Sequence, residues 1–284
     1  MNIFEYEEKA ASFAAYLKEA ERTESTVIQY LREVRFFAAW FSLGGGEVRP
    51  VTREDVIAYK QYLKENYAPS SVNTKLAALG SYFDFLSRPD LKVRPLKIQK
   101  KTYQDPEKEL TKAEYIRLVE RARKEGDERL SLILQALCST GIRVSELSFL
   151  TCEAVRAGKM TVNLKGKSRL VFLPSKLCRL LKAYMKKAGI RSGVIFCGRS
   201  GRPLNRTTIW RMMKRLSLRA GVSPEKVFPH NLRHLFACCF YRQEKDISKL
   251  ADVLGHSNLN TTRIYIISSG REHRKKIEAL RLVI

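Results

Sequence analysis

No apolar run in this 284-residue chain approaches the ~20 residues that a bilayer-spanning helix requires, so no membrane span is expected. Its acidic opening, Met1-Asn2-Ile3-Phe4-Glu5-Tyr6-Glu7-Glu8, lacks the basic and apolar regions of a secretory leader, and a cytoplasmic setting is expected. The six cysteines, Cys138, Cys152, Cys178, Cys197, Cys238 and Cys239, contain no Cys-x-x-Cys pair. That spacing argues against a zinc site, and the low density argues against a disulfide scaffold; reduced core thiols are expected. Also missing are a glycine-rich phosphate loop and a cluster of acids suited to two metal ions, so neither a cofactor nor a metal is expected. The most telling absence is of acid. From Ala154 to Pro224 there is no Asp or Glu, against 18 Lys and Arg.

The formal net charge is +24, with 53 basic and 29 acidic residues. Residues 1–100 hold 15 of the former and 13 of the latter, which leaves 38 against 16 for residues 101–284. Uncompensated like charge destabilises a compact fold unless a bound polyanion offsets it, and a merely solvated surface intersperses acids. Nucleic acid is favoured over membrane, because no helix pairs a basic face with exposed aromatics.

Apolar residues recur at helical spacing through the first hundred positions, predicting helices over 4–20, 26–41, a third through Tyr67 and a fourth from Pro69 to Phe85 or Leu86. Thr52-Arg53-Glu54-Asp55 supplies a cap for the third. Ser87–Glu109 carries Pro89, Pro95 and Pro106 without apolar periodicity and reads as a linker. The expected division is a helical domain over 1–100, a linker over 101–108 and a second domain over 109–284. In the latter, Thr111-Lys112-Ala113-Glu114 is a capping box, with helices expected at 112–125, 127–140, 175–188, 206–220, 230–242, 246–254 and 271–282. Residues 160–164 and 169–173 read as a basic hairpin around Lys165-Gly166-Lys167-Ser168, and 193–197 as a further strand. The fold class is mainly α with a small antiparallel β-sheet.

Three of the four histidines fall into one constellation. His230-Asn231-Leu232-Arg233-His234 is followed by Leu254-Gly255-His256 and, nine residues later, by Tyr265; Arg143 stands upstream in Thr140-Gly141-Ile142-Arg143-Val144-Ser145-Glu146-Leu147. Arginine and histidine donors gathered with one tyrosine suggest phosphoryl transfer to a phenolic oxygen. Two guanidiniums can clamp the nonbridging oxygens of a pentacoordinate phosphorus through charge-assisted bonds. His230 and Arg233, three apart, share a helix face. A phenol leaves more readily than an alkoxide, so a phosphotyrosyl ester would conserve the energy needed to rejoin a strand.

These three motifs, in this order and at these separations, resemble the tyrosine recombinases, in particular their Xer-like bacterial branch and related integrases. The resemblance covers essentially the whole chain, since Tyr30, Phe37, Ser71 and Leu86 sit in helical settings similar to that family's SAM-like core-binding domain. It implies that Arg143, His230, Arg233 and His256 surround the phosphate and that Tyr265 is the nucleophile of a 3′-phosphotyrosyl intermediate. Glu146 is expected to orient a donor. The resemblance also implies a hairpin lysine as general acid. Lys165 and Lys167 compete for that role, because the family's Gly-Lys-Gly-x-Lys-x-Arg pattern is one residue shorter here, and anchoring on the first lysine favours Lys165. Lys167, Arg169, Arg202, Arg206 and Arg211 are assigned to DNA contact. His234 and His273 receive packing and surface roles. The implied partners are double-stranded DNA bearing recombination sites and three further copies of the chain, joined through residues 271–284; an accessory protein is left open. Ile266-Ile267 and Ala237-Cys238-Cys239 depart from common Xer-like residues, which leaves chromosomal and mobile-element roles both open. A type IB topoisomerase would carry the same residue set, and a non-catalytic DNA-binding regulator would carry the same charge.

Overall fold

A computed structural model describes residues 3–44, 49–98, 106–164, 167–198, 200–256, 258–266 and 278–280. The chain divides into two compact units, Met1–Lys100 and Lys101–Ile284.

The first unit holds α1 (Ile3–Glu19), α2 (Glu24–Leu43), α3 (Arg53–Asn66) and α4 (Pro69–Phe85). Thr52 and Asp55 satisfy each other's free amides at the start of α3, and Pro69 opens α4 where a missing N–H costs nothing. Phe13, Leu17, Phe37, Tyr59, Tyr82 and Phe83 converge as the core. The rings meet edge-on, Phe13 on Tyr82 and Phe37 on Tyr59, each pair with centroids 4.9 Å apart. Glu33, buried among them, is neutralised by an ion pair with Lys75.

The second unit contains α5 (Lys112–Lys124), α6 (Glu128–Thr140), a 3-10 segment (Val144–Phe149), α7 (Cys152–Ala157), β1 (Lys159–Leu164), β2 (Lys167–Phe172), α8 (Ser175–Lys187), α9 (Arg206–Arg219), α10 (Pro229–Glu244), α11 (Ile247–Leu254) and α12 (Leu259–Arg263). Its core joins Leu118, Ile133, Leu137, Leu181, Met213 and Leu232. The unit is thus mainly helical around one antiparallel hairpin.

Two expectations need correction. The hairpin pairs Leu164 with Lys167 and Val162 with Arg169, so β2 starts two residues earlier than expected and the connection shrinks to two residues. Residues 193–197 form no strand; Val194 makes an isolated bridge to Thr151 and Cys197 another to Pro203. Pro203 has no amide hydrogen to extend a ladder, and Gly193 at φ +74° turns the chain out of extended geometry. The expected helix over 271–282 lies outside the described residues except for 278–280.

Two helix ends matter for the site. α6 closes on Gly141 at φ +65° and α11 on Gly255 at φ +66°, both in the left-handed region. A side chain at Gly141 would also meet Phe236 at 2.3 Å. These caps leave the carbonyls of Gly141 and Leu254 free of helical partners and available to something else.

Candidate active site

That partner is Arg233. Its side chain is almost wholly buried, and Nη1 donates to Gly141 O at 2.6 Å while Nη2 donates to Leu254 O at 2.8 Å. Carbonyls at two helix C-termini carry partial negative charge, which compensates a buried guanidinium without using a carboxylate. Nη2 also lies 2.8 Å from His256 Nε2. An arginine can only donate, so Nε2 accepts, and the other ring nitrogen, Nδ1, carries the proton and donates to Thr262 Oγ1 at 2.9 Å. Burial and the charges of Arg233, Arg143 and Arg169 hold the His256 imidazole down at about 4, so it is neutral at pH 7. Burial, then the neighbouring Arg143, pulls Arg233 down to about 10, and it stays charged.

Arg143 follows the α6 cap. Its Nη1 donates to Glu146 Oε1 at 2.9 Å and its amide to Oε2 at 2.8 Å. Glu146 is 1% exposed, and its Oε2 also accepts from Arg169 Nη2 at 2.5 Å. One buried carboxylate thus aims two arginines. Replacing Glu146 with alanine strands Arg169 in the interior, and chemical denaturation is expected to show a loss of about 3–5 kcal/mol; a loss below ~1 kcal/mol would mean that solvent already screens the pair.

Arg143 and Arg233 line a pocket of about 300 Å³ together with His230, Arg206, Trp210 and Phe228. His230 keeps much of its surface in solvent, yet partial desolvation on its inner side, followed by the charge of Arg233, pushes its ring below its ordinary range. Tyr265, 6% exposed, packs against three imidazoles: His234 at 5.2 Å, His256 at 5.9 Å with rings nearly parallel, and His230 at 6.2 Å. Its phenol lies within electrostatic reach of the Arg233 guanidinium, and its backbone carbonyl accepts from Cys238 Sγ at 3.3 Å.

Arg143, Glu146, His230, Arg233, His256 and Tyr265 therefore gather in one place. Arg169 joins them from the interior side, donating to Glu146 and to the Val253 carbonyl at 3.1 Å instead of reaching outward. Arg206 is at the pocket rim, while Arg202 and Arg211 are exposed and do not line it. Lys165 and the side chain of Lys167 lie outside the described residues. His234, read from sequence as packing, is buried as such, yet its Nε2 lies 3.5 Å from Glu109 and its ring supports Tyr265. Sequence reasoning missed Trp210, Thr262 and Glu109. Trp210 alone carried a signal, one helical turn after Arg206 on the same face.

The Phage integrase family model matches residues 108–271, and the model for the phage integrase N-terminal SAM-like domain matches residues 10–89. The chain belongs to the phage integrase family. Within it, a tyrosine recombinase XerA of Thermococcus onnurineus is 31% identical, over 95% of this chain and 94% of that protein. A TnP I resolvase of Bacillus thuringiensis is 28% identical, over 95% of this chain and 99% of its own length. Among solved structures, a lambda integrase tetramer bound to a Holliday junction superposes with a TM-score of 0.71 at 16% identity, covering 93% of this chain and 77% of that one. This last likeness shows that the fold is that of an integrase.

Proposed function

We propose that the protein is a site-specific DNA recombinase that cleaves and rejoins strands through Tyr265. The observation that carries this reading is the position of Arg233, whose guanidinium bonds His256, the ring against which Tyr265 stacks, while lining, with Arg143 and His230, a pocket of phosphate-binding character. The phenol oxygen attacks the scissile phosphorus, a Tyr265–phosphorus bond forms, and the bond to the 5′ oxygen breaks. Arg143 and Arg233 stabilise the charge that develops on the nonbridging oxygens. Neutral His256, stacked beside the phenol ring, takes the phenolic proton on Nε2 once Arg233 turns its Nη2 hydrogen from Nε2 to the phosphate. The 5′ oxygen leaves as a hydroxyl, protonated by Lys165. A 5′ hydroxyl of a partner strand then attacks the phosphotyrosyl ester and releases Tyr265, producing a Holliday junction that a second round resolves.

In this reading residues 1–100 grip DNA, 109–284 catalyse, and Arg202, Arg206, Arg211 and Lys167 hold flanking phosphates. Four copies assemble on two duplexes through residues 271–284, in line with the tetrameric lambda integrase, and the protein acts in the cytoplasm. No described helix is long and apolar enough to cross a membrane.

A supercoiled plasmid with two directly repeated cognate sites is expected to yield two circles with exchanged flanks. Relaxation without exchange would instead indicate a topoisomerase, and binding with unaltered plasmid a regulator.

A further inference from the structure

The pocket has two kinds of wall. Arg143, Arg206, His230 and Arg233 form a cationic side, and Val144, Trp210, Phe228 and Pro229 an apolar one. A phosphate uses the first and has no use for the second. Trp210 leaves 45% of its surface in solvent, in a helix whose other exposed residues are largely basic, so α9 does pair a basic face with an exposed aromatic, contrary to the sequence expectation. An indole kept in water forgoes the free energy of burial, which is recovered when an apolar partner covers it. The ring is also fixed in place: the Lys214 ammonium lies 5.3 Å from the Trp210 ring centre and 5.7 Å from that of Phe228, and it donates to the Pro224 carbonyl. A rigid aromatic surface one helical turn beyond Arg206 thus adjoins the phosphate clamp. Every backbone phosphate is flanked by a deoxyribose, whose ring carbons are the nearest apolar surface that DNA could bring there.

We infer that Trp210 is a positioning residue that covers the deoxyribose next to the scissile phosphate and thereby fixes that phosphate between Arg143 and Arg233. This rests on the recombinase reading of the same pocket.

The chain has two tryptophans, and the other, Trp40, packs on Tyr59 in the first unit with ring centroids 4.9 Å apart. In a Trp40→Phe protein, Trp210 alone reports by fluorescence. Binding a cognate duplex is expected to shift its emission to the blue and to shield it from acrylamide. An abasic tetrahydrofuran beside the scissile phosphate, which keeps the sugar ring, preserves the shielding; a propanediol spacer, which removes it, abolishes the shielding when placed on the contacted side. Trp210→Ala is expected to slow single-turnover cleavage roughly tenfold to hundredfold through misplacement of the phosphate, with duplex affinity changed less than about threefold and melting temperature unmoved, and Trp210→Phe recovers most of the rate. Shielding that survives the spacer on both sides, no shielding on bound duplex, or wild-type cleavage by Trp210→Ala would each overturn the inference. A protein that binds no duplex at all would sink the recombinase reading with it, whereas normal cleavage with unchanged Trp210 emission sinks this inference alone.

Discussion

Tyr265→Phe is expected to lower strand cleavage by more than about 10⁴-fold, the order of loss seen when a covalent nucleophile is deleted, while duplex affinity stays within about threefold. The separation of the two effects follows from where the side chain sits. Its ring is 6% exposed and rests on His230, His234 and His256, contacts that phenylalanine retains. What is removed is one hydroxyl near the Arg233 charge, and the packing of the ring is left intact. The variant should therefore melt close to the parent. A gel-shift series beside a single-turnover cleavage assay checks both halves; parallel loss of binding and cleavage would mean that the phenol serves the architecture and not the chemistry.

Arg233→Lys is the second large effect, because the charge is preserved and only the fork is lost. Arg233 reaches Gly141 O, Leu254 O and His256 Nε2 at 2.6–2.8 Å from two nitrogens while lining the pocket. A single ammonium cannot span two helix ends and a phosphate at once. Cleavage is expected to fall by about 10²–10³-fold, the cost of removing one preorganised donor, and the melting temperature should drop because one of two buried carbonyls loses its partner. Arg143→Lys offers the contrast. Arg143 is 43% exposed at its side chain and anchored by Glu146 alone among the described ion pairs, so its replacement should slow cleavage with little change in melting. Equal destabilisation by both lysine variants would contradict the role assigned to the two capped helix ends.

Much of this could be read from residue order. Local signals are dependable: the Thr52–Asp55 and Thr111–Glu114 pairs form at the helix starts, because each depends on residues within one turn of chain. The hairpin was legible from its alternation, although its register was not, since a shortened connection is fixed only when Leu164 meets Lys167. The 193–197 segment misled because an apolar run resembles a buried strand whether or not a ladder partner exists, and here the partner was Pro203.

The site shows the same divide. Residue types and spacing pointed to Arg143, His230, Arg233, His256 and Tyr265, yet what each one does for the others is non-local. Arg169 looked like one more cation of a basic hairpin, but its partners are Glu146, 23 residues upstream, and Val253, 84 residues downstream. The spacing places His256 only among the residues around the phosphate; its tautomer is set by Arg233 on one ring nitrogen and Thr262 on the other, partners that residue order does not mark. Glu109, behind His234, falls at the edge of a segment read as linker, where nothing in the spacing marks a carboxylate that faces a buried imidazole.

The central claim is one covalent bond, between the phenolic oxygen of Tyr265 and a DNA 3′ phosphate. A cognate duplex nicked just beyond the cleavage point loses its short 5′-hydroxyl fragment on attack and cannot be resealed, so any ester accumulates. After denaturing electrophoresis, protease digestion and mass spectrometry, the account predicts a single nucleotide-bearing peptide modified at Tyr265. A cleaved duplex with no protein attached, or an adduct on another residue, would contradict it.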